Sequence, residues 1–264
     1  MKKLLTTILL CGLISVAFAQ NGQQTPLSIA NGGKVWTSIY QQRAAEYKAL
    51  CFQAYNIAKL RLDMALKRRH SKPLAVVTDI DETLLDNSPY SGGRAIKNED
   101  YDLVSWKAWT AKGICDTVPG APSFFKYAAS KGVAVYYITN RYEDERPGTV
   151  KNLKLYNMPY VDDEHILLKS NTSSKQVRRN EVAKTHQIIL LFGDNLPDVS
   201  ELYDAPYTED SRNAATEKLR KEFGSRYIII PNPDYGDWEN AIYDGANTNA
   251  KKDSVIRAKL KVDY

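Results

Sequence analysis

Two acidic residues separated by one residue, Asp79 and Asp81, directly follow the apolar run 74–78. Carboxylates at i and i+2 of a strand end point to the same side, so they could share one reaction. Asp79, ionised beside a cation, could attack phosphorus, while Asp81 could protonate a leaving alcohol and later deprotonate water. An acidic turn or helix N-cap is the simpler explanation. The predicted buried strand before the acids argues against that explanation, because an uncompensated charge in a buried position is costly unless a metal or a ligand offsets it.

A second acidic group follows the apolar run 188–192, in the segment Gly193-Asp194-Asn195-Leu196-Pro197-Asp198. Its glycine permits close approach of another segment, and carboxylates four residues apart could hold a hard cation. A turn rich in Asp, Asn and Pro is the alternative. The earlier acidic pair favours the metal site. We expect an all-oxygen ligand set, which favours Mg²⁺: the carboxylates of Asp79, Asp194 and Asp198 with the backbone carbonyl of Asp81.

A bound phosphate would need hydrogen-bond donors and positive charge, and two places offer them. The run 133–138 ends in Thr139-Asn140-Arg141, where the Thr139 hydroxyl, backbone amides and Asn140 could bind phosphate oxygens. A turn or helix cap is the commoner role of Thr and Asn after a strand. Lys175 stands at the predicted start of a helix, where the helix dipole disfavours a cation. A phosphate would explain that position. Lys169 is the second candidate, with a solvated lysine as its alternative.

Short apolar runs alternate with amphipathic ones after Pro73. The apolar runs predict buried strands at 74–78, 133–138, 166–168, 188–192 and 227–230. The amphipathic runs predict helices at 123–131, 144–156, 174–185 and 214–223. This alternation is typical of an α/β fold, in which a parallel sheet is covered on both faces and the ligand crevice lies at the carboxyl ends of the strands. Every group of candidate residues above falls at such an end.

Three further segments surround this predicted core. Apolar or small residues recur at helical spacing over 36–65, which predicts one helix or two consecutive ones. The polar, glycine-containing segment 20–33 predicts a loose lead into the fold. Residues 90–118 are rich in Tyr and Trp and lack a clear period, which predicts a cap or lid.

The first residues have the layout of a signal peptide. Two lysines precede an apolar stretch that ends at Ala17-Phe18-Ala19. We therefore expect residues 1–19 to be cleaved, a mature chain from about Gln20 to residue 264, and export to the periplasm or the cell exterior. Lipid modification of Cys11 is the rival, which Leu10 disfavours because processing wants a small residue there. Membrane attachment is accordingly not expected.

Charge and cysteine content restrict the function further. The formal net charge of +5 comes without a dense run of Lys and Arg, so we expect no nucleic-acid polymer as a partner. After the leader, only Cys51 and Cys115 remain, which excludes a disulfide scaffold and a paired-cysteine zinc site. One bridge between them is compatible with an exported protein, as are two free thiols.

The segments 76–90 and 189–198 resemble the class C nonspecific acid phosphatases of the haloacid dehalogenase (HAD) superfamily. The likeness extends to the N-terminal helices, Thr139-Asn140-Arg141, Lys175 and the segment 231–239. Two features depart from the family pattern. Val199 stands where an aromatic residue usually follows the last acid, and this leader lacks the lipidation site of several relatives.

The resemblance implies a Rossmann-like core with N-terminal helices and a small α-rich cap, contributed by about 34–70 and 90–118, within one domain spanning 20–264. It also implies Mg²⁺ and activity on phosphomonoesters, including nucleoside 5′-monophosphates. Aromatic rings at Trp106 and Tyr235 would then flank the leaving group and stack on a base. Trp109 is a weaker candidate, and aromatic residues are more often part of a core.

Two other functions use the same residues. A phosphotransferase would pass phosphate from the same intermediate to an alcohol. A secreted binding or storage protein could keep the fold after catalysis had decayed, which the presence of Asp79, Asp81, Thr139, Lys175 and Asp194 disfavours. A monomer and a homodimer both fit the sequence.

Overall fold

Five parallel strands form the central sheet in the computed structural model, which describes residues 26–204 and 208–262. Their spatial order is β5-β4-β1-β6-β7. The strands are β1 (Leu74–Thr78), β4 (Ala134–Ile138), β5 (Ile166–Leu167), β6 (Gln187–Gly193) and β7 (Tyr227–Ile229). Two short antiparallel strands, β2 (Leu85–Asp86) and β3 (Asp116–Thr117), pair outside this sheet. The predicted parallel α/β fold is confirmed, with each predicted strand within one or two residues of its observed bounds.

Helices cover both faces of this sheet. The helices of the described residues are α1 (Ile29–Arg43), α2 (Ala45–Leu66), α3 (Ser88–Ile96), α4 (Leu103–Thr110), α5 (Ala121–Ser130), α6 (Arg146–Leu155), α7 (Gln176–Thr185), α8 (Glu209–Leu219), α9 (Asp237–Tyr243) and α10 (Asn249–Lys259). Side chains of β1 alternate between the two layers, as the strand period requires. Val76 belongs to the core cluster that includes residues of α2 and α5, whereas Ala75 and Val77 belong to the cluster that includes Val182 of α7.

An aromatic cluster fixes the segment that follows β1. Tyr55 of α2 stacks on Phe192 of β6 with ring centroids 5.8 Å apart, and Phe124 and Phe125 of α5 pack around both rings. The Tyr55 hydroxyl donates a hydrogen bond of 2.6 Å to the backbone carbonyl of Thr83. The core of the sheet therefore holds the backbone of the acidic segment directly.

The predicted pair of consecutive helices at 36–65 is confirmed, with a break at Ala44. The loose segment predicted for 20–33 is wrong for 29–33, because α1 begins at Ile29 and includes Gly32 and Gly33. The Ser28 hydroxyl accepts from the Asn31 amide at 3.1 Å. The Asp253 carboxylate of α10 accepts from the amides of Ile29 and Ala30 at 3.0 and 3.1 Å. Local sequence could not reveal this cap, because one partner comes from the other end of the chain.

Two other segments differ from the prediction. Residues 90–118 are more regular than expected: α3 has Pro89 in its first turn, and the Asp102 carboxylate caps α4 by accepting from the Ser105 amide at 2.8 Å. The helix predicted at 214–223 begins five residues earlier, at Glu209, where the Thr208 side chain accepts from the Ser211 amide. Both starts depend on polar caps, which hydrophobic periodicity does not register.

The predicted leader, residues 1–19, lies outside the described residues. Among residues 26–204 and 208–262, no helix combines the length and the apolar character that a membrane span requires. Cys51 and Cys115 are both buried and both free, so the structure has no bridge between them.

Candidate active site

Asp79 lies at the carboxyl end of the central strand, between the ends of its neighbours. Its backbone amide donates to the Phe192 carbonyl at 3.1 Å, which extends the pairing of β1 with β6 by one residue. The Asp79 side chain is 11% exposed, and its Oδ1 atom lies 2.6 Å from Lys175 Nζ in an ion pair. The same ammonium lies 2.6 Å from Asp198 Oδ1. Lys175 is the N-cap residue of α7. Three residues from separate segments of the chain thus meet at one site.

Three carboxylates crowd together at this strand end. One oxygen each from Asp79, Asp194 and Asp198 lies within 4.8 Å of the others. Burial raises the pKa of Asp79 to about 7, against the opposing charge of Lys175. Burial and the charges of Asp198 and Asp79 raise the pKa of Asp194 well above its ordinary value. Such crowding is costly unless a cation offsets it, and the all-oxygen donor set suits a hard divalent ion.

The turn that carries Asp198 depends on a glycine. The backbone amide of Asn195 donates to Asp198 Oδ2 at 3.0 Å, within the 3₁₀ turn Leu196–Asp198. A Cβ atom at Gly193 would lie 2.2 Å from the Cβ of Asp198. No side chain fits there, so the close approach expected of this glycine is confirmed.

Asp194 is oriented by two residues that the sequence did not reveal as part of the site. Thr83 Oγ1 donates to Asp194 Oδ1 at 2.9 Å, and Asn232 Nδ2 donates to Oδ2 at 2.8 Å. Asn232 Oδ1 accepts from the backbone amides of Asp234 and Tyr235 at 2.9 and 3.3 Å. Asn232 thereby connects the acidic cluster to the loop that carries Tyr235. The segment 231–239 was noted in the sequence only through its resemblance to a family.

Asp81 faces a buried guanidinium group. Arg141 Nε lies 3.1 and 3.2 Å from the two carboxylate oxygens of Asp81, and Nη2 lies 2.7 Å from Oδ1. Asn87 Nδ2 also donates to Oδ1 at 2.9 Å. Arg141 is 2% exposed and also donates to Thr149 Oγ1 at 3.1 Å. Sequence reasoning did not include Arg141 among the site residues, although its place directly after Thr139-Asn140 was the available signal.

The predicted phosphate-binding residues occupy different positions. Lys175 and Asn140 line the same cavity as the acids. Asn140 Oδ1 accepts from Arg178 Nη2 at 2.7 Å. The Thr139 side chain is fully buried, and its hydroxyl accepts from the Arg141 amide at 3.2 Å. Lys169 donates to the Tyr142 hydroxyl at 3.3 Å and does not line the cavity.

The two predicted aromatic residues line the cavity from opposite parts of the chain. Trp106 lies on α4 and meets the Tyr90 ring edge-on, with centroids 5.2 Å apart. The guanidinium carbon of Arg141 lies 5.9 Å from the Trp106 ring centroid. Tyr235 lies in the loop before α9. Trp109 does not line the cavity, and its ring nitrogen donates to Asn87 Oδ1 at 2.8 Å.

Glu82 is a buried acid beneath these residues that the sequence analysis did not select. It is 1% exposed and adopts a positive φ of 53°. Its carboxyl group accepts from the Asn87 amide at 2.7 Å and from the Tyr235 hydroxyl. Burial, with the charges of Asp81 and Asp194, raises its pKa well above the ordinary value. Glu82 thus connects Tyr235 with the segment that carries Asp81.

The cavity that contains these residues has a volume of about 820 Å³. It holds the carboxylates of Asp79, Asp81, Asp194 and Asp198 at one end, with the cations of Lys175 and Arg141 beside them. A nucleophilic carboxylate, a second carboxyl group, a cation site and a positively charged donor are the components that displacement at phosphorus requires.

Known proteins resemble this chain in sequence and in fold. A family model described as HAD superfamily, subfamily IIIB (acid phosphatase), matches residues 5–238. The structure of the class C acid phosphatase from Bacillus anthracis superimposes with a TM-score of 0.84 at 38% sequence identity, and the match covers 89% of this chain and 99% of that one.

Two plant proteins are more distant relatives. Acid phosphatase 1 of Solanum lycopersicum is 29% identical over 131 residues, which is 47% of this chain and 51% of the tomato protein. Vegetative storage protein 2 of Arabidopsis thaliana is 26% identical over 171 residues, which is 61% of each protein. The chain thus spans about half of the tomato enzyme and about three fifths of the Arabidopsis protein. The family model covers most of this chain, and the chain belongs to the HAD superfamily, subfamily IIIB, the acid phosphatases.

Proposed function

We propose that this protein is an exported, Mg²⁺-dependent acid phosphatase that hydrolyses phosphomonoesters through an aspartyl-phosphate on Asp79. The observation that carries the proposal is the convergence of Asp79, Lys175, Asp194 and Asp198 at one strand end. Asp81 lines the same cavity with 15% of its side chain exposed. The family, the B. anthracis structure and the tomato relative support the same activity.

In the first step, a carboxylate oxygen of Asp79 attacks phosphorus and the bond from phosphorus to the ester oxygen breaks. Asp81 donates its proton to that departing oxygen, so the alcohol leaves neutral. In the second step, Asp81 takes a proton from water as the water oxygen attacks phosphorus. The bond to Asp79 then breaks, which releases phosphate and restores both carboxyl groups. Lys175 offsets the negative charge of Asp79 and of the transferring group.

The residues present fit a magnesium ion. Asp79, Asp194 and Asp198 would hold it with the backbone carbonyl of Asp81, since Mg²⁺ prefers hard oxygen ligands. When bound, the ion neutralises the nucleophile and the phosphate and so favours their approach. Thr83 and Asn232 orient the Asp194 carboxylate for this purpose.

Nucleoside 5′-monophosphates are among the substrates we propose. Trp106 and Tyr235 both line the cavity, and stacking of a base on aromatic rings contributes about 1–3 kcal/mol per base. The similarity to a storage protein raises the alternative of a fold without catalysis. The complete set of Asp79, Asp81, Lys175 and Asp194 favours the enzyme.

The decisive experiment measures phosphate release from a panel of phosphomonoesters after EDTA treatment, with and without added Mg²⁺. We expect activity to disappear with EDTA and to return with Mg²⁺, whereas Zn²⁺ should restore little. A panel with added alcohols would reveal phosphotransferase activity as phosphorylated alcohol. Absence of turnover on the whole panel with Mg²⁺ would favour the binding or storage role, and tightly held zinc that alone supports turnover would refute the ligand assignment.

A further inference from the structure

The cavity continues from the strand ends to a wall formed by helices. Among the described residues, this helical wall contributes three cations: Lys34 of α1, Arg94 of α3 and Lys252 of α10. At first sight, three cations beside a phosphate site would suit a substrate with a second anionic group. However, the hydrogen bonds and ion pairs of these three cations indicate that they are not available to bind a second anionic group.

Each cation of the helical wall is bonded to an acid that lines the same cavity. Lys34 lies 3.3 Å from Glu239, with side chains only 16% and 12% exposed. Lys252 lies 2.8 Å from Asp100, with exposures of 14% and 34%. Pairs this sheltered persist better than fully exposed ones, because solvent screens them less.

The third cation is occupied as well. Arg94 Nη1 lies 2.8 Å from Glu99, and its Nε donates to the Asp100 carbonyl at 2.9 Å. A bound anion would therefore have to displace a carboxylate from each of these cations, or lie close to that carboxylate.

Among the residues that line the helical wall, acids outnumber cations. A fourth acid, Asp237, lines it beside Glu99, Asp100 and Glu239, so four acids face three cations, and the positive charge of Arg212, which does not line the cavity, offsets part of the charge of Asp237. The Oδ1 atom of Asp100 is buried and accepts no hydrogen bond from the described residues. Like charges placed together disfavour a partner, and such repulsion is a common source of specificity.

An uncharged polar group finds donors and acceptors on the same wall. Ser91, Asn240 and Asn247 line it with hydroxyl and amide groups. These groups can bind the hydroxyls of a sugar or a similar alcohol without breaking any ion pair.

We propose that the helical wall selects phosphomonoesters with an uncharged leaving group and disfavours those that carry a second anionic group. This inference rests on the proposed function, since it concerns substrates of the same site. It assigns specificity to the pairs Lys34–Glu239 and Lys252–Asp100, which take no part in the chemistry at phosphorus.

The test compares kcat/KM for adenosine 5′-monophosphate with that for 5′-dephosphorylation of adenosine 3′,5′-bisphosphate, followed by chromatography of the adenosine 3′-phosphate formed. Phenyl phosphate and its 4-carboxylate give the same comparison without a base. At low salt, we expect kcat/KM for the bisphosphate to be at least about tenfold lower than that for adenosine 5′-monophosphate. The 4-carboxylate should be poorer than phenyl phosphate by a similar factor in kcat/KM. The ratio of the two kcat/KM values within each pair should approach one as salt is raised, because screening weakens the repulsion between the wall and the second anionic group.

Two variants test the residues. Glu239→Gln and Asp100→Asn each remove one negative charge and free a lysine from its ion pair. Each variant should therefore lower the kcat/KM preference for the substrate with the uncharged leaving group at least about threefold. The matched control is Glu181→Gln on α7, which removes an acid from an exposed pair with Lys184 and should keep the wild-type ratio. Equal kcat/KM within each wild-type pair, or an unchanged ratio in both variants, would overturn the inference. Failure of the wild type to release phosphate from any of the four compounds would refute the proposed function together with it.

Discussion

Asp79 is the residue on which the proposed chemistry depends most directly. We expect Asp79→Asn to lower turnover by roughly 10³-fold or more, because an amide cannot attack phosphorus. The fold should persist, since the variant keeps the side-chain shape and no longer buries an ionisable carboxylate, and burial is the main cause of the raised pKa of Asp79. Phosphate release and thermal unfolding in EDTA check the two expectations. A folded variant with near wild-type turnover would contradict the aspartyl-phosphate mechanism.

Arg141 should act through Asp81. Arg141→Lys keeps the charge but loses the contact of two guanidinium nitrogens with the carboxylate. If the acid that protonates the leaving oxygen is displaced, the rate falls most for substrates with a poor leaving group, because these depend most on protonation. We expect kcat/KM for an alkyl phosphate to fall about tenfold more than kcat/KM for 4-nitrophenyl phosphate. Equal losses on the two substrates would indicate a structural role for Arg141 instead.

At the residue scale, the sequence predicted the acids better than their partners. Asp79 and Asp194 were predictable because each closely follows an apolar run, and Asp198 was predictable because it lies four residues after Asp194. Glu82, Thr83 and Asn232 were missed because their roles depend on long-range contacts. Glu82 receives its hydrogen bond from Tyr235, which is 153 positions away. Spacing along the chain carries no signal for such a pair.

The elements around the cavity determine how a leaving group is held. We expect Trp106→Ala to raise KM for a nucleoside 5′-monophosphate much more than for a small alkyl phosphate. A lost stack of about 1–3 kcal/mol corresponds to roughly 5-fold to 150-fold in kcat/KM for the nucleotide. Equal effects on both substrates would assign Trp106 to folding or closure of the site.

Tyr235 requires a finer comparison, because its hydroxyl also bonds to Glu82. Tyr235→Phe keeps the ring and removes that bond, whereas Tyr235→Ala removes both. If stacking dominates, only the alanine variant should lose the preference for the nucleotide. Loss of the preference in the phenylalanine variant would assign the effect to the hydrogen bond.

The start of α1 tests the long-range cap. Asp253→Ala leaves the amides of Ile29 and Ala30 without their carboxylate partner. We expect a loss of about 0.5–2 kcal/mol in the free energy of unfolding, measured by denaturant titration. Asp253→Asn should lose less, since its amide oxygen can still accept. An unchanged stability in both variants would mean that solvent replaces the cap at no cost.

The boundaries of helices and strands were likewise predictable where local sequence determines them and were missed where distant contacts do. The buried strands were predictable because their apolar runs are short and bounded. The start of α1 was not, because Gly32 and Gly33 suggest a loose segment until the distant cap is known. The start of α8 at Glu209 was missed for a local reason, since its first turn is polar.

For the whole molecule, the acidic site makes stability depend on pH when no metal is bound. Burial raises the pKa of Asp79 to about 7 and raises those of Asp194 and Glu82 as well. Between the unfolded values of about 4 and these raised values, the folded state binds more protons than the unfolded state. Stability in EDTA should therefore fall as pH rises from about 4 through 7.

Added Mg²⁺ should reverse this trend, because it binds the ionised carboxylates of the folded protein. Unfolding temperatures measured at several pH values, with EDTA and with Mg²⁺, check both parts. Asp79→Asn in EDTA should show a weaker dependence on pH, since one of the titrating groups is gone. A stability in EDTA that rises with pH over this range would contradict the assignment of these acids.

The cap of α1 by Asp253 also has a consequence for the order in which the chain can assemble. The hydrogen bond between Ile29 and Asp253 joins residues 224 positions apart. Closing so long a loop is slow compared with forming local turns. During synthesis, the first helix cannot receive its cap until nearly the whole chain has emerged. A chain that is still being synthesised would thus lack this cap until its last helix arrived, and one of the last contacts to form would join Ile29 of α1 to Asp253 of α10.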